Sequence, residues 1–283
     1  MNTTNVLKQS QFGLEKKRIG RYQLRKPNCT DMLISTMLIV MVLTTLIYVF
    51  FTVEYKWEMF RPDLGWRILT NLFRFDLVAD PIGITARLLN TVALAFVTTM
   101  FGAILGLPLG LLSASNLSNP WIVQTIKGMA SFARAVPTII WVLLFVSGYG
   151  LSATTAVVGM TFHSLAFFIK SYSEAFEEVE AGVIEALKAT GASWLQIVTS
   201  AILPCAYTKM ISWIAMRCEI NFAAAVVIGP AVGVPGTIGT IISSFSRQGD
   251  YAGLGFSVFC VFMTALAFEL FITRFKQKSI VQQ

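Results

Sequence analysis

The amino-acid sequence predicts an all-α, polytopic membrane protein. Of its 283 residues, 55% are hydrophobic and only 13% are charged, and the mean hydropathy is +0.68. A water-soluble domain of ordinary composition contains many more charged residues. Several stretches reach the length of about 20 apolar residues that a helix needs to cross a bilayer. Because backbone polar groups in lipid must be hydrogen-bonded within their own segment, these stretches are predicted to be helices.

The first transmembrane helix is predicted at residues 31–53, where "MLISTMLIVMVLTTLIYVFF" contains no charge. Seven Lys and Arg side chains lie in the first 26 residues. Basic residues beside a span favour the cytoplasmic side, so residues 1–30 are predicted to form a cytoplasmic tail. Residues 54–87 have five acids, five bases and the interfacial aromatics Trp57 and Trp66. Without a basic excess, this stretch is predicted to be an external segment.

A ladder of small residues characterises the second span, predicted at about 88–112. Gly102, Gly106 and Gly110 recur every four residues and therefore share one helix face. Small residues at this spacing allow two helix backbones to approach closely in a membrane. The sequence therefore predicts that this span is buried among other helices.

The rest of the transmembrane core, residues 88–273, is predicted from alternating apolar runs and breaks. In chain order these are a cytoplasmic amphipathic helix (121–135), a short ascending run (137–150), a returning span (153–172), a proline-started span (204–228) and a last span (254–272). "GPAVGVPGTIG" at 229–239 breaks the proline-started span, and such irregular backbone is tolerated at membrane depth only where protein or a cavity satisfies it. Six crossing elements result, followed by a cytoplasmic tail at 274–283.

A polar stretch between the returning and proline-started spans, the 176–203 segment, is predicted to lie in the cytoplasm. The stretch 173–191 has apolar residues near the 3.6-residue period and predicts a surface helix. Gly191 suits the left-handed position that ends a helix, and Ser193 followed by Gln196 is a capping box that starts another. Such a rigid elbow could dock a soluble partner, or it could be an amphipathic loop on the membrane.

The letters of this segment resemble a known motif. "EALKATG", nine residues and then "AILP" resemble the EAA loop of ABC importer permeases, in which Glu-Ala-Ala, three residues and Gly precede Ile-x-Leu-Pro by nine residues. The sequence departs from that pattern at Leu187 and Ala201. The resemblance implies that Glu185, Ala186 and Gly191 belong to a coupling helix that inserts into a cleft of an ATPase subunit. The second helix is predicted to end where the next span begins.

Other stretches resemble the phosphonate-uptake branch of these permeases over about 85–273. They are "NTVALAFVTTMFGAILGLPLGLLSASN", "RAVPTIIWVLLFV", "HSLAFFIKSYSEAFE" and "EINFAAAVVIG". Thr138 and Ala223 replace an acid and an arginine that the branch commonly carries. The resemblance implies a type I ABC importer permease fold, a homodimer, an extracytoplasmic substrate-binding protein and a separate ATPase dimer that binds ATP and Mg²⁺, with no cofactor in this chain. It implies import of phosphonate, phosphate or phosphite, with methionine as the alternative.

Ionisable residues within spans cost about 2.5 to 3.5 kcal/mol on insertion scales, so each one needs a reason. His163 and Lys170 are seven residues apart on one helix face, and Glu174 follows Lys170 by four, which suits an ion pair. A structural pair and a line of substrate contacts both fit this stripe. His163 lies deeper and fits either a packing role or a gate.

Arg217 and Asn221 are four residues apart and share a face of the fifth span, whereas Glu219 points roughly the opposite way. The first two are the better candidates for an anionic substrate, and Glu219 for a contact with another helix or protomer. Interhelical hydrogen bonding is the alternative for all three. The glycines at the break can offer backbone amides to an anion or act as a gate hinge; they are Gly229, Gly233 and Gly236.

The sequence argues against several other function classes. It contains no GxxxxGK[ST] phosphate loop, no HExxH and no acid and nucleophile at a recognisable spacing from its single histidine, so an enzyme is not indicated. Four widely spaced cysteines indicate neither a metal site nor a disulfide framework; they are Cys29, Cys205, Cys218 and Cys260. The net charge of +7 lies mostly beside the first and last spans, which predicts topology and not nucleic-acid binding. A secondary transporter driven by an ion gradient remains a competing class.

Overall fold

The computed structural model describes residues 29–52 and 62–281 of the chain. In this described part all regular structure is helical, which confirms the all-α prediction. The helices are α1 (Cys29–Thr52), α2 (Pro62–Leu72), α3 (Pro81–Ser113), α4 (Pro120–Ala135), α5 (Thr138–Tyr149), α6 (Ala153–Glu177), α7 (Ala181–Ala189), α8 (Trp194–Ile197), α9 (Leu203–Val232), α10 (Ile238–Gln248) and α11 (Tyr251–Val281). A 3₁₀ turn spans Phe75–Leu77, and a π turn spans Val198–Ile202.

Five helical stretches of the described residues are long and apolar enough to cross a membrane: Met32–Thr52, Pro81–Ser113, Ala153–Glu177, Trp194–Val232 and Tyr251–Arg274. A sixth crossing results if α4 and α5 count as one broken span, since their axes are bent by 91°. The described residues thus contain five to six apolar elements, in agreement with the prediction of about six. Proline accounts for the bend, because Pro137 follows the last residues of α4 and cannot continue its hydrogen bonds.

Two compact units are present, and α1 belongs to the first. Its described side chains are all exposed within that unit, as expected of a helix whose surroundings are lipid. The predicted cytoplasmic tail lies outside the described residues except for its last two positions. Residues 53–61, which include Trp57 of the predicted external segment, also lie outside them.

The second unit is organised around the packing of α3 against α6. Each glycine of the predicted ladder faces an α6 residue. A β-carbon added at Gly102, Gly106 or Gly110 would lie 2.7, 2.6 and 2.8 Å from the β-carbons of three α6 residues that are themselves four apart, Ser164, Phe168 and Tyr172. The two backbones are thus too close for any larger residue, and the predicted burial of this span is confirmed.

This seam provides a matched pair of substitutions. Gly106→Ala places a methyl group 2.6 Å from the β-carbon of the fully buried Phe168, so a helix must shift. Overpacking of this kind costs about 1 to 3 kcal/mol, and we expect a lower unfolding temperature in detergent. Gly128→Ala on α4 meets nothing within 4 Å and gains helix propensity. An unfolding temperature for Gly106→Ala at or above that of Gly128→Ala would contradict the seam.

Two predicted helix boundaries are wrong. The second span begins at Pro81 and not at residue 88, because Pro81 suits the first helical turn and the Asp80 carboxylate accepts the Gly83 amide at 2.8 Å. The predicted surface helix 173–191 is also two pieces. Residues 173–177 of this stretch form the end of α6, because the fully buried Phe176 packs in the hydrophobic core there. A separate α7 starts at Ala181, after three intervening residues.

The second half of the chain differs from the prediction at three further places. No break occurs at Pro204: α8, the π turn and α9 are continuous, and the Leu203 amide donates to the Val198 carbonyl across the wider turn that precedes the ring. The amphipathic α10 was not predicted, because its eleven residues follow a glycine-rich break and are too few to indicate a span. The last helix begins at Tyr251 and continues to Val281, through most of the predicted tail 274–283.

Candidate functional site

A buried polar cluster joins α3, α6 and α9 inside the bundle. Asn221 lies at its centre with a fully buried side chain, and its Nδ2 donates to Ser164 Oγ and Thr99 Oγ1, both at 2.9 Å. The Ser164 hydroxyl also lies 3.3 Å from Asn221 Oδ1. Buried polar groups are stable only when they are hydrogen-bonded. The cluster therefore fixes the three helices relative to one another at this level.

Arg217 adds a positive charge to the same cluster. Its side chain is 4% exposed, its Nε donates to Ser164 Oγ at 3.2 Å, and its guanidinium lies 5.1 Å from the centre of the Phe167 ring. Among the described residues it forms no salt bridge. The predicted shared face of Arg217 and Asn221 is confirmed, since both contact Ser164. Ser164 thereby links Arg217 to Asn221 within the cluster.

The other predicted ionisable residues lie in different surroundings. Lys170 and Glu174 form the predicted ion pair at 3.7 Å, and both are more than half exposed, so the pair contributes little stability. His163 is half-buried and lies beside the backbone of Ala133 and Val136 at the α4–α5 bend. Its Nδ1 is buried and has no hydrogen-bond partner in the described part of the chain. Glu219 is half-buried and is not part of the cluster.

The glycine-rich break after α9 is packed against α3. Gly233 and Gly236 have φ of +69° and +75°, the left-handed region that glycine adopts without strain. The side chain of Thr237 packs directly on Gly229. The Ile238 amide, at the start of α10, donates to Thr91 Oγ1 on α3 at 2.9 Å. Three amides of this region are thereby committed to protein acceptors, because those of Gly233 and Val234 both donate to the Gly229 carbonyl.

The 176–203 segment presents its predicted residues to solvent. Glu185, Ala186 and Gly191 are all exposed, whereas Ile184 on the opposite side of α7 is 3% exposed and packs into the core. Gly191 has the predicted left-handed conformation, with φ of +80°. The Ser193 amide donates to the Gln196 side chain at 2.7 Å, as the predicted capping box requires. The segment is therefore a folded elbow anchored on one side.

Several side chains in these sites were not predicted. Ser164 and Thr99 carry no recognisable signal, because hydroxyl residues in spans usually bond to their own helix, as Thr99 Oγ1 does with the Ala95 carbonyl at 2.7 Å. Glu177 lies in the predicted surface helix 173–191, where the sequence does not distinguish it from the neighbouring acids. In the structure it accepts hydrogen bonds from the Ser115 amide and from Lys127 Nζ, both at 2.7 Å.

Comparison with known proteins identifies a family. Residues 106–277 match the family described as binding-protein-dependent transport system inner membrane component. Two curated relatives are the phosphate-import permease protein PhnE of Mycolicibacterium smegmatis, 29% identical over 196 residues or 66% of this chain, and the putative phosphite transport system permease protein HtxC of Stutzerimonas stutzeri, 28% identical over 173 residues or 61%. The matched regions span only 35% and 56% of those two relatives.

A third relative and a solved structure concern methionine. The D-methionine transport system permease protein MetI of Escherichia coli is 30% identical over 126 residues, which cover 41% of this chain and 58% of the relative. A chain of the inward-facing MetNI methionine ABC transporter superposes with a TM-score of 0.57 and 22% identity, covering 68% of this chain and 95% of that one. This similarity confirms the predicted type I importer permease fold.

Proposed function

Because the chain belongs to the family of binding-protein-dependent transport system inner membrane components, we propose that it is the permease subunit of an ATP-driven importer of a small phosphorus oxyanion. Phosphonate, phosphate and phosphite are the substrates we consider. The observation that carries the proposal is the exposed, capped elbow with an EAA-like sequence, since such an elbow suits a docking partner outside the membrane.

The buried Arg217 supports an anionic substrate. A guanidinium in the membrane interior, without a carboxylate partner in the described residues, is energetically costly and is retained mainly for function. Arginine also binds phosphate-like oxyanions in a bidentate manner. We propose that Arg217, with Asn221 beside it and His163 nearby, contacts the anion when the bundle opens. Two of the relatives named above are permeases for phosphorus oxyanions, which agrees with this choice.

The other candidate residues take structural or gating roles in this proposal. Lys170 and Glu174 hold each other at the helix surface. Gly229, Gly233 and Gly236 shape a packed turn at the outer gate and act there as a hinge when α10 moves. Glu219, half-buried and outside the polar cluster, contacts a second permease copy. A homodimer is favoured because the helices of one chain are too few to enclose a polar path.

The ATPase side of the proposal follows from the elbow. Two ATPase subunits would each receive one elbow, with Glu185, Ala186 and Gly191 at the contact, and would bind ATP and Mg²⁺, while this chain binds no cofactor. Closure of the ATPases would pull the elbows together and reorient the spans. An extracytoplasmic binding protein would deliver the substrate to the opposite face. Both termini and the elbow are then cytoplasmic in a cell-membrane protein, as the basic residues beside the first span favour.

Reconstitution tests this function. The chain is co-expressed with the ATPase and the binding protein that the proposed system requires, and the purified complex is placed in liposomes. We expect uptake of labelled phosphite, phosphate or methylphosphonate that requires ATP. Uptake of methionine instead would support the amino-acid alternative, with which the similarity to MetI agrees. Uptake driven by a proton or sodium gradient without ATP would reject the ABC proposal in favour of a secondary transporter.

A further inference from the structure

The turn between α3 and α4, residues 114–119, is bound to the end of α6. The Ser115 amide donates to Glu177 Oε1 at 2.7 Å, and Asn116 Nδ2 donates to the Phe176 carbonyl at 2.9 Å. Both acceptors lie at the end of α6, shortly before α7 begins. The beginning of the elbow, before α7, therefore holds this turn through two successive residues.

The part of the elbow that follows α7 holds the same turn. Trp194 begins α8 after the Gly191 turn, and its Nε1 donates to the Leu117 carbonyl at 3.2 Å. The α3–α4 turn is thus hydrogen-bonded both to the residues before α7 and to Trp194 after it. A displacement of α7 cannot occur as a rigid movement of the elbow without moving this turn or breaking these bonds.

Glu177 also reaches α4. The Oε1 atom that accepts the Ser115 amide accepts Lys127 Nζ at 2.7 Å. Charge-assisted bonds of this length are among the stronger hydrogen bonds in proteins, and both side chains are partly shielded, with 26% and 37% of their surface exposed. One carboxylate therefore joins the end of α6, the α3–α4 turn and the second turn of α4.

The far end of α4 lies at the candidate transport path. The Ala133 carbonyl accepts Trp141 Nε1 at 2.9 Å, which fixes α4 to α5 across their bend. His163 lies against this bend, and Ala130 and Ala133 of α4 pack with Ala166 and Ile169 of α6 in one buried cluster. A movement of α4 thus reaches the residues around the polar cluster.

We propose that Glu177 is a positioning residue that transmits movement of the elbow to α4 and so to the bend beside His163. This inference rests on the proposed ATP-driven function, because the movement must come from an ATPase. Removal of the carboxylate would leave the ATPase docked and active while its movement reached α4 incompletely. The specific consequence is a fall in the number of substrate molecules imported per ATP hydrolysed.

Glu174 provides a matched control on the same helix. It lies less than one turn before Glu177, and its partner Lys170 is on α6 itself, so its ion pair joins no second element. Glu174→Gln removes the same charge as Glu177→Gln. Three variants weaken the contacts of Glu177 to different degrees. Glu177→Gln keeps an acceptor for the Ser115 amide, and Glu177→Ala keeps none. Lys127→Met loses only the link between Glu177 and α4.

The test measures uptake and ATP hydrolysis together in liposomes that contain the complete complex. For Glu177→Ala we expect transport per ATP to fall about tenfold or more, as the loss of a charge-assisted bond suggests. Glu177→Gln and Lys127→Met should be intermediate, and Glu174→Gln should match the unchanged protein. Hydrolysis should persist in every variant.

Three outcomes would overturn the inference. If Glu177→Ala keeps the transport-to-ATP ratio of the unchanged complex, Glu177 does not transmit movement. If uptake and hydrolysis fall in proportion, with less assembled complex, its role is structural only. If the unchanged complex shows no ATP-driven uptake, the proposed function itself fails and this inference falls with it. Only the first two leave the proposed function standing.

Discussion

Replacement of Arg217 by leucine is expected to abolish most oxyanion uptake while the complex still assembles. The guanidinium is buried and forms no salt bridge within the described part of the chain, so its removal deletes no ion pair there. Ser164 keeps its hydrogen bonds with Asn221, and removal of an unpaired buried charge also removes the cost of keeping that charge away from water. Loss of a hydrogen bond to a charged group costs about 1.5 to 3 kcal/mol, which corresponds to roughly a ten- to hundredfold fall in uptake.

Two further variants show whether the charge itself matters. Arg217→Lys keeps the charge but loses the planar fork, so we expect partial uptake. Arg74→Leu makes the same exchange at an exposed arginine outside the polar cluster, where Arg74 pairs with Asp76 at 3.5 Å, and should leave uptake nearly unchanged. Uptake by Arg217→Leu equal to that of Arg74→Leu, with equal amounts of complex, would show that Arg217 has no part in the path.

Charge reversal in the elbow is expected to separate the permease from its ATPase. Glu185→Lys places the opposite charge on the exposed face of α7. Gly191→Asp adds a side chain where φ is +80°, and the left-handed conformation costs about 1 to 2 kcal/mol for a residue with a β-carbon. We expect both variants to fold and to insert but to lose the co-purified ATPase, and ATP-driven uptake to fall to background.

The control lies beyond the other end of α3, a helix of 33 residues and about 50 Å. Asp76→Lys reverses another exposed charge, whose partner is Arg74 at 3.5 Å. The ATPase should remain bound in this variant. Retention of the ATPase by Glu185→Lys as well would remove the elbow from the contact.

The sequence predicted features that depend on local order. Hydropathy is sufficient to place spans, because lipid requires a long apolar helix, and Gly191 with the Ser193 capping box determines the elbow from a few consecutive letters. The glycine ladder predicted a close helix contact. It could not name α6 as the partner, because any helix with a complementary face would have satisfied it.

The features that were missed depend on distant partners. Glu177 looked like one acid among several until the fold brought Ser115 and Lys127 to it, from positions 62 and 50 residues away. The π turn before Pro204 is equally invisible, since a proline after an amphipathic stretch predicts a break unless a wider turn accommodates the ring. Tertiary packing decides both cases.

The central claim is that the elbow lies on the ATP-containing side of the membrane. The direct measurement is labelling of Glu185→Cys with a membrane-impermeant thiol reagent in sealed vesicles of known orientation, after replacement of the four native cysteines. We predict labelling only when the cytoplasmic face is accessible. Labelling from the external face would place the elbow beyond the reach of any ATPase and would contradict the proposed function.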